Sequence, residues 1–448
     1  MMSSAPASFA RSALSGYRRR RALEAQRNPR LAFYSPMPPA ATGIATYSAA
    51  VLGGLRRIGF TERHRMDVVW PIEPKDEGLV RWRRLGIYQL GNNVGFHRDI
   101  YRFACLAPGL AVLHDLALDD FVRGMKADGD PLGYVAEREA AAGRARIHDA
   151  DVLRNPPLRE PWVSHVVRRS RGVIVHSGFG ARYLDEIGCR TPVFVVPHPV
   201  VESDAKIVAA KARASEMRAR AGAGPNDVLV VAPGDLNEAK QLGALVAAAV
   251  GLGVRVALVG RRIEGFDVDA LVATAGLGER LTLAADASDE DFLAWLSAAD
   301  IVVDLRFPHR GETSGSLARA MQVGRPSIVS ATGTYLDLPD DSVVRIGAGP
   351  ADPTELAARL RDLADDPDRR ARMGAAAREH VRRLRESEAT AHGYEDAIES
   401  TLDLVRDPAR KAYARWAGAL ADLGVDGSTL ARGYGLSYAR AMETFRKS

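Results

Sequence analysis

The feature that most constrains the fold is a series of short apolar runs that alternates with longer, helix-like stretches and occurs twice along the chain. Each run ends at polar, glycine or proline residues, as the buried strands of a parallel sheet do. Strands separated by helices predict a sheet covered on both faces, which is a doubly wound α/β domain. The predicted strands are 31–35, 66–70, 85–90, 110–114, 172–176 and 193–197 in the first series, and 228–233, 254–260, 281–285, 301–305, 327–330 and 343–346 in the second.

The two series divide the 448 residues into domains, in agreement with the roughly 100–200 residues that one domain usually contains. Helices are predicted at 44–55, 132–150, 180–187 and 205–221, and two more are separated by Asp366-Pro367. An aromatic stripe near the C-terminus is expected to pack onto the domains; its members are Tyr413, Trp416, Tyr434, Tyr438 and Phe445. We predict a disordered basic arm (1–29), an N-terminal Rossmann-like domain (30–203), a C-terminal Rossmann-like domain (204–390) and a helical extension (391–448).

The net charge of +5 belongs to the N-terminal arm, because the first 30 residues hold seven arginines and a single acidic residue, Glu24. Two interpretations of the arm stay open, a solvated segment and an electrostatic contact with anionic lipid. Nucleic-acid binding is not expected, because no aromatic residues are interleaved with the arginines. Two cysteines without metal-type spacing and the lack of an apolar run of ~18 residues predict a cytoplasmic protein, with any membrane contact peripheral and at the inner face.

Polar residues follow the predicted strand 301–305, where ligands of open parallel sheets bind. Arg306 could hold a phosphate, and Glu312 could accept hydrogen bonds from hydroxyl groups. A helix begins directly after these residues, so its first backbone N–H groups would donate to an anion. The residues that carry those N–H groups are Thr313, Ser314, Gly315 and Ser316.

Two other strand ends carry features of an anion site. Gly43 and Ile44 begin a helix after the first strand, so the backbone there could approach a ligand closely. In the second half, Gly234 follows a strand, and Lys240 is predicted in the first turn of a helix that runs to Val250. A cation in that position costs roughly 0.3–1 kcal/mol, which suggests a bound anion that offsets it. A solvated surface lysine is the alternative.

The N-terminal half offers further polar groups at its strand ends. His114 could donate to a sugar hydroxyl or to a phosphate, while Asp115 could fix the tautomer of that histidine or cap the next helix. Asn92, Asn93 and His97 follow another strand and, with Asp115, are candidate acceptor contacts. Ser177 is expected to cap a helix. The acidic pair 267 and 269 is interpreted as surface, and no histidine or cysteine spacing indicates a metal site.

Taken in order, these motifs resemble the retaining glycosyltransferases of family 4, also called glycosyl transferases group 1, which have the two-domain GT-B fold. The resemblance extends from residue 31 to about residue 384. It is carried by SPMPPAATGIATYS, VLHD, VIVHSGFGARYL and PHPV in the first half, and by PGDLNEAKQL, VALVG, AADIVVDLRFP and GETSGSLARAMQVGRPSIVSATGTYLDLPDD in the second.

The resemblance implies a nucleotide-diphosphate sugar donor on the C-terminal domain and an acceptor on the N-terminal domain, with no metal and no cofactor. Lys240 would be the diphosphate lysine, and Glu312 with the following amides would hold the transferred sugar. Gly43 would lie near the phosphates and His114 beside the sugar, so that His114, Glu312 and Lys240 are the expected catalytic residues. In such enzymes the leaving phosphate is thought to help deprotonate the acceptor hydroxyl on the same face of the sugar.

Three positions depart from the family pattern. Arg319 stands where a second glutamate usually holds the ribose, Glu312 is displaced by one position, and Asp235 replaces an arginine. The residues that would recognise the base and ribose are therefore unassigned.

The expected function is a hexosyltransferase that acts on a polysaccharide, lipid-linked or small-molecule acceptor in cell-envelope or exopolysaccharide synthesis. Two alternatives remain, a catalytically weak binding or scaffold subunit and a nucleotide-sugar epimerase of the same fold.

Overall fold

The computed structural model describes residues 30–73, 85–142, 147–199 and 201–406. The basic arm and the aromatic stripe predicted from the sequence lie outside these residues. The first compact unit ends at Ala397 and contains both sheets. Of the second unit, Ile398–Ser448, the structure describes residues 398–406, which continue a helix. None of the described helices is long and apolar enough to span a membrane.

The first sheet has six parallel strands in the order β2-β1-β3-β4-β5-β6. Its strands are β1 (Leu31–Tyr34), β2 (Met66–Val69), β3 (Leu85–Leu90), β4 (Leu110–Leu113), β5 (Gly172–Val175) and β6 (Val193–Val195). The helices of this half are α1 (Gly43–Arg57), α2 (Phe60–Arg63), α3 (Val94–Leu106), α4 (Asp119–Ala127), α5 (Pro131–Ala141), α6 (Ala150–Arg154), α7 (Pro156–Arg159), α8 (Ser164–Arg169) and α9 (Gly178–Glu186).

The second sheet also has six parallel strands, in the order β12-β11-β10-β7-β8-β9. Its strands are β7 (Val228–Pro233), β8 (Val254–Gly260), β9 (Leu281–Ala285), β10 (Ile301–Asp304), β11 (Ser327–Ser330) and β12 (Val343–Ile346). The helices are α10 (Asp204–Ala212), α11 (Ala214–Arg220), α12 (Leu242–Ala249), α13 (Val268–Thr274), α14 (Asp289–Ala298), α15 (Gly315–Val323), α16 (Pro353–Ala364), α17 (Pro367–Glu386) and α18 (Ala389–Arg406). Short 3₁₀ turns lie at Glu238–Lys240, Gly278–Arg280 and Gly333–Asp337.

The second sheet packs against helices on both faces, because most positions of its strands are apolar and alternate side chains point to opposite faces. Val230 and Leu258 pack on one side against the leucines of α12 and α16. Leu229 and Val231 pack on the other side around the fully buried Trp295 of α14, together with residues of α10, α11 and α15. The doubly wound architecture predicted for this half is therefore confirmed.

All twelve predicted strands are present, although six of them end one or two residues before the predicted position. Two predicted helices are wrong in extent. The helix 132–150 is interrupted, because α6 starts anew where Asp149 accepts hydrogen bonds from the N–H groups of Asp151 and Val152. The helix 205–221 is two helices that meet at Arg213, and both pack on α14. The predicted break at Asp366 and the predicted Ser177 cap are confirmed.

The strand order places a binding crevice at one defined point of the second sheet. The connection from β7 leads to β8 on one side, while that from β10 leads to β11 on the other side, so the strand order switches direction between these two parallel neighbours. Ligands of open α/β sheets bind beyond the carboxyl ends of the strands at such a switch point. The residues that follow β7 and β10 are those that carry the predicted donor site.

The backbone at this point tolerates no side chain on Gly260. Its φ is +150°, and a Cβ there would lie 1.8 Å from the carbonyl oxygen of Gly234. We expect Gly260→Ala to lower the free energy of unfolding by about 2–4 kcal/mol, measured by urea denaturation. The matched control is Gly251→Ala, because a Cβ at Gly251 would meet no atom within 4 Å. Equal stability of the two variants would contradict this assignment of strain.

Candidate active site

Three groups meet at the carboxyl end of β7. Gly234 has a φ of +110°, and a Cβ on it would lie 2.8 Å from Ser316 Oγ and 2.9 Å from Lys240 Nζ. The absence of a side chain therefore lets the lysine ammonium and the first turn of α15 come close to the strand end. Backbone N–H groups at a helix start, a hydroxyl and a cation together form a corner suited to an anion.

The structure corrects the setting predicted for Lys240. This residue ends the 3₁₀ turn Glu238–Lys240 rather than beginning an α-helix, and Gln241 (φ +53°) separates it from α12. The anion that offsets its charge is part of the protein, since Lys240 Nζ donates to Asp304 Oδ1 at the end of β10. Burial lowers the pKa of Lys240, and Asp304 opposes that shift.

Asp304 is a site residue that the sequence analysis missed. It is fully buried, and it accepts hydrogen bonds from Ser314 Oγ and from Tyr335 Oη (2.9 Å) in addition to Lys240. Burial acts to raise its pKa, but Lys240 and Arg306 outweigh it and hold the pKa below the usual range of a carboxyl group. An acidic residue in the otherwise apolar run IVVDL was the available signal.

The loop after β10 brings the predicted donor residues together. Arg306 Nη1 lies 3.1 Å from Glu312 Oε1, and the backbone N–H of Arg310 donates to Glu312 Oε2 at 2.6 Å. Burial opposes ionisation of Glu312, but Arg306 and the hydrogen bonds lower its pKa. Ser314 caps α15 by accepting from the N–H of Leu317 (3.2 Å), and Gly315 and Ser316 form the first turn of that helix. Thr313 Oγ1 is buried with no hydrogen-bond partner within the described residues.

The loop that precedes α1 in the first domain contacts the second domain near this corner, and Arg261 makes the contact. Arg261 Nη1 donates to the carbonyl of Ala41 at 3.2 Å, and Nη2 pairs with Asp235 at 3.0 Å. The helix α1 begins two residues after Ala41, at Gly43 and Ile44. A Cβ on Gly43 would meet no atom within 4 Å, so the protein itself leaves the space beside this glycine open.

His114 lies at the end of β4 in a cluster of rings. Its Nε2 is 2.8 Å from Gln89 Oε1, so this nitrogen carries the hydrogen and donates to the amide oxygen. Tyr47 contacts it edge-on at 4.5 Å between ring centroids, and His176 lies 5.2 Å away. Burial, followed by the neighbouring histidines, holds the pKa of His114 well below its usual value, so the ring is neutral.

Three of the predicted acceptor contacts make hydrogen bonds within their own domain. Asn92 Oδ1 accepts from the N–H of Phe121 at 2.9 Å, and the side chain of Asn93 caps α3. His97 is buried, its Nδ1 lies 3.0 Å from the carbonyl of Gln89, and burial lowers its pKa to about 4.

Asp115 lies beside the loop that follows β10. It accepts from the N–H of Asn92 at 2.9 Å, and it faces Glu312 and the guanidinium groups of Arg306 and Arg310. Burial, followed by the charge of Glu312, raises the pKa of Asp115 to about 7. The structure thus brings Asp115 of the first domain together with Glu312 of the second.

Direct contacts attach the same loop to the first domain. Arg310 pairs with Asp119 and with Asp120, each at 2.8 Å, and its carbonyl accepts from the N–H of Leu116 at 2.7 Å. The N–H of His309 donates to Asn155 Oδ1 at 3.1 Å. No motif in the sequence indicated these contacts, because each depends on how two surfaces meet.

Two of the residues that depart from the family pattern, Arg319 and Asp235, form ion pairs within the protein. Arg319 pairs with Glu202 and with Asp289, both at 2.8 Å. In the acidic pair, Asp267 caps α13 and Asp269 pairs with Arg262, in agreement with the predicted surface role.

Among the residues that the structure describes, no group of three or more histidine, cysteine or acidic residues is arranged to hold a metal ion.

Residues 214–380 match the family model "Glycosyl transferases group 1". A D-inositol 3-phosphate glycosyltransferase of Mycobacterium sp. (strain KMS) is 31% identical over 211 residues, which are 45% of this chain and 46% of that relative. The enzyme of the same name from Streptomyces coelicolor is 31% identical over 147 residues, 32% of this chain and 29% of the relative. The chain therefore spans less than half of the length of the curated relatives it matches.

Solved structures resemble this chain over most of its length. Sucrose-phosphate synthase from Thermosynechococcus elongatus aligns with a TM-score of 0.57 at 18% identity, covering 83% of this chain and 99% of that one. Anabaena HepE in complex with UDP aligns with a TM-score of 0.56 at 15% identity over the same shares. This likeness, together with two parallel six-stranded sheets, confirms the GT-B fold.

A double-mutant cycle tests the buried ion pair. Asp304→Asn would leave the ammonium of Lys240 buried without a countercharge, and we expect a loss of about 3–5 kcal/mol in the free energy of unfolding. Lys240→Met in the same chain removes the unmatched charge, so the double variant should lose less than the sum of the two single variants. Strict additivity in urea denaturation would contradict the coupling.

The raised pKa of Asp115 predicts a pH dependence of stability. Between about pH 4 and pH 7 the folded protein holds a proton on Asp115 that the unfolded chain releases, so stability falls as pH rises through this window. Asp115→Asn should flatten that slope, measured by urea denaturation between pH 4.5 and 8. The exposed Asp99→Asn is the control, and parallel curves for parent and Asp115→Asn would contradict the prediction.

Proposed function

We propose that this protein is a retaining glycosyltransferase that transfers a sugar from a nucleotide-diphosphate sugar to a hydroxyl group of a polysaccharide, lipid-linked or small-molecule acceptor. The match of residues 214–380 to a glycosyltransferase family model and the GT-B fold support this class of reaction. HepE was crystallised with UDP and with UDP-glucose, which makes a uridine nucleotide the first donor to test.

The observation that carries the proposal is the corner formed by Gly234, Lys240 and Ser316. A diphosphate in this corner would receive the charge of the lysine, the hydroxyl of the serine and the backbone N–H groups of the first turn of α15. These donors are already held in place, because Asp304 binds both Lys240 and the capping residue Ser314. A site built in this way pays little reorganisation energy when an anion forms in it.

The same groups would stabilise the transition state. As the bond between sugar and diphosphate breaks, negative charge grows on the phosphate that leaves, and interactions that strengthen at this moment lower the barrier. Lys240 and the positive end of the α15 dipole would act on that charge. The leaving phosphate then takes the proton of the acceptor hydroxyl, which attacks from the same face and retains the configuration of the sugar.

Glu312 and His114 have separate roles in this proposal. Glu312 is ionised and held by Arg306, so it can accept hydrogen bonds from hydroxyl groups of the transferred sugar. His114 is neutral, and Gln89 occupies its Nε2, so the remaining Nδ1 can only accept a hydrogen bond. The basic arm would recruit the enzyme to anionic lipid at the inner face of the membrane, where envelope or exopolysaccharide acceptors are made.

Substitution of the anion site tests this proposal. We expect Lys240→Ala and Glu312→Ala to lower kcat by about 10²–10³-fold, since each removes a group that acts on the transition state. The measurement is nucleotide release from UDP-, GDP-, ADP- and TDP-sugars, with circular dichroism to verify folding. The control Lys211→Ala removes an exposed lysine of the same domain and should keep the parental rate.

Other outcomes would replace the proposal. Turnover by folded Lys240→Ala at the parental rate would refute the role of this lysine. Nucleotide binding by calorimetry without any turnover would indicate a scaffold subunit. Conversion of the donor in the absence of acceptor would indicate an epimerase.

A further inference from the structure

A cavity of about 280 Å³ lies between the ends of β5 and β6 and the helices α15 and α17. Thr313 and Ser314, from the loop that is proposed to hold the donor sugar, form part of its wall. His176 and His198 line it from the first domain, and Leu317 and Met321 contribute apolar surface from α15. A ligand in this cavity would therefore lie next to the sugar held by the loop.

Each of the two histidines keeps one ring nitrogen as a hydrogen-bond acceptor. His176 Nδ1 lies 3.0 Å from the carbonyl of Val196, and His198 Nδ1 lies 3.0 Å from the carbonyl of Pro199. A carbonyl only accepts, so each Nδ1 carries the hydrogen and each Nε2 has a free lone pair. Burial lowers the pKa of His176 to about 3 and that of His198 to about 4, so both rings stay neutral.

Two of these polar atoms are buried without a partner. Within the described part of the chain, His176 Nε2 and Thr313 Oγ1 make no hydrogen bond. Burial of an unpaired polar atom is unfavourable, because the atom loses its hydrogen bonds to water. A ligand with hydroxyl groups would satisfy both atoms, because a hydroxyl both donates and accepts.

The charged residues on the cavity wall already have partners. Arg319 is held by two carboxylates, those of Glu202 and Asp289. Asp337 accepts from the N–H of Phe179 at 3.1 Å, which also occupies the N-terminal end of α9. His380 is half-buried, and burial lowers its pKa. Within the described lining, a phosphate or carboxylate would therefore find no cation that lacks a countercharge.

We propose that this cavity binds the acceptor and selects an uncharged ring that carries hydroxyl groups, such as a polyol or an unphosphorylated sugar. Its hydroxyl groups donate to Nε2 of His176 and His198, and its apolar face packs on Leu317 and Met321. This inference rests on the proposed glycosyl transfer, because the cavity adjoins the donor loop. It adds a substrate class that the anion site does not determine.

The test compares neutral rings with their phosphate esters. Myo-inositol and glucose are titrated against myo-inositol 3-phosphate and glucose 6-phosphate, using saturation-transfer NMR on the full chain with and without UDP. We expect each neutral ring to bind about tenfold more tightly than its ester. Equal or tighter binding of the esters, or no binding of either class, would overturn the inference.

Two substitutions of His176 separate its acceptor atom from its structural hydrogen bond. Asparagine places an amide where Nδ1 stands and removes Nε2, whereas glutamine places an amide where Nε2 stands. We expect His176→Asn to weaken binding of the neutral ring about tenfold, and His176→Gln to weaken it less. The reverse order would mean that the histidine acts only through Val196, and would overturn the assignment.

A gain of function gives an independent test. Val195 lines the cavity and is 51% exposed, so a lysine fits there with its ammonium at the opening. We expect Val195→Lys to improve binding of glucose 6-phosphate severalfold and to leave glucose unchanged. An unchanged preference would refute the cavity as the ring site. Failure of UDP to bind would refute the proposed function, while the titrations without UDP would still decide the inference.

Discussion

The buried carboxylate of Asp304 is the interaction on which the rest of the site depends. It binds the ammonium of Lys240, the hydroxyl of Ser314 and the hydroxyl of Tyr335, which belong to three different segments of the chain. A charge of this kind is costly to bury, and only the full set of partners offsets the cost. The same contacts fix the lysine and the start of α15, so one side chain organises the anion corner.

Much of the fold could be predicted from the sequence, because strands buried on both faces are mostly apolar and helix caps are local. The strand VLVVAP and the cap at Ser177 are examples. The ion pair of Asp304 could not be recognised in the same way, because an acidic residue in an apolar run marks Asp304 itself but not its partner Lys240, which is 64 positions away. The neighbours of Asp304 in IVVDL indicate only a strand.

The candidate site was predictable as far as the place of a residue after a strand end, as for Glu312, but not in the setting of Lys240, which ends a 3₁₀ turn and is paired with Asp304. It was less predictable where a polar side chain can satisfy its own backbone. Asn92 and Asn93 bond to helix N–H groups, which short amide side chains do readily, and sequence alone cannot separate that use from ligand binding. The approach of Asp115 to Glu312 could not be predicted, because the two residues lie in different domains and come close only where these domains pack together.

The attachment of the β10 loop to the first domain has a consequence for kinetics. Arg310 is bound to Asp119 and Asp120, and His309 to Asn155, so the loop that would hold the sugar also holds the domains together. In the proposed reaction, separation of the domains would have to break these bonds before a product between them could leave. The strength of these contacts would then limit how long the product stays bound, separately from the rate of bond cleavage.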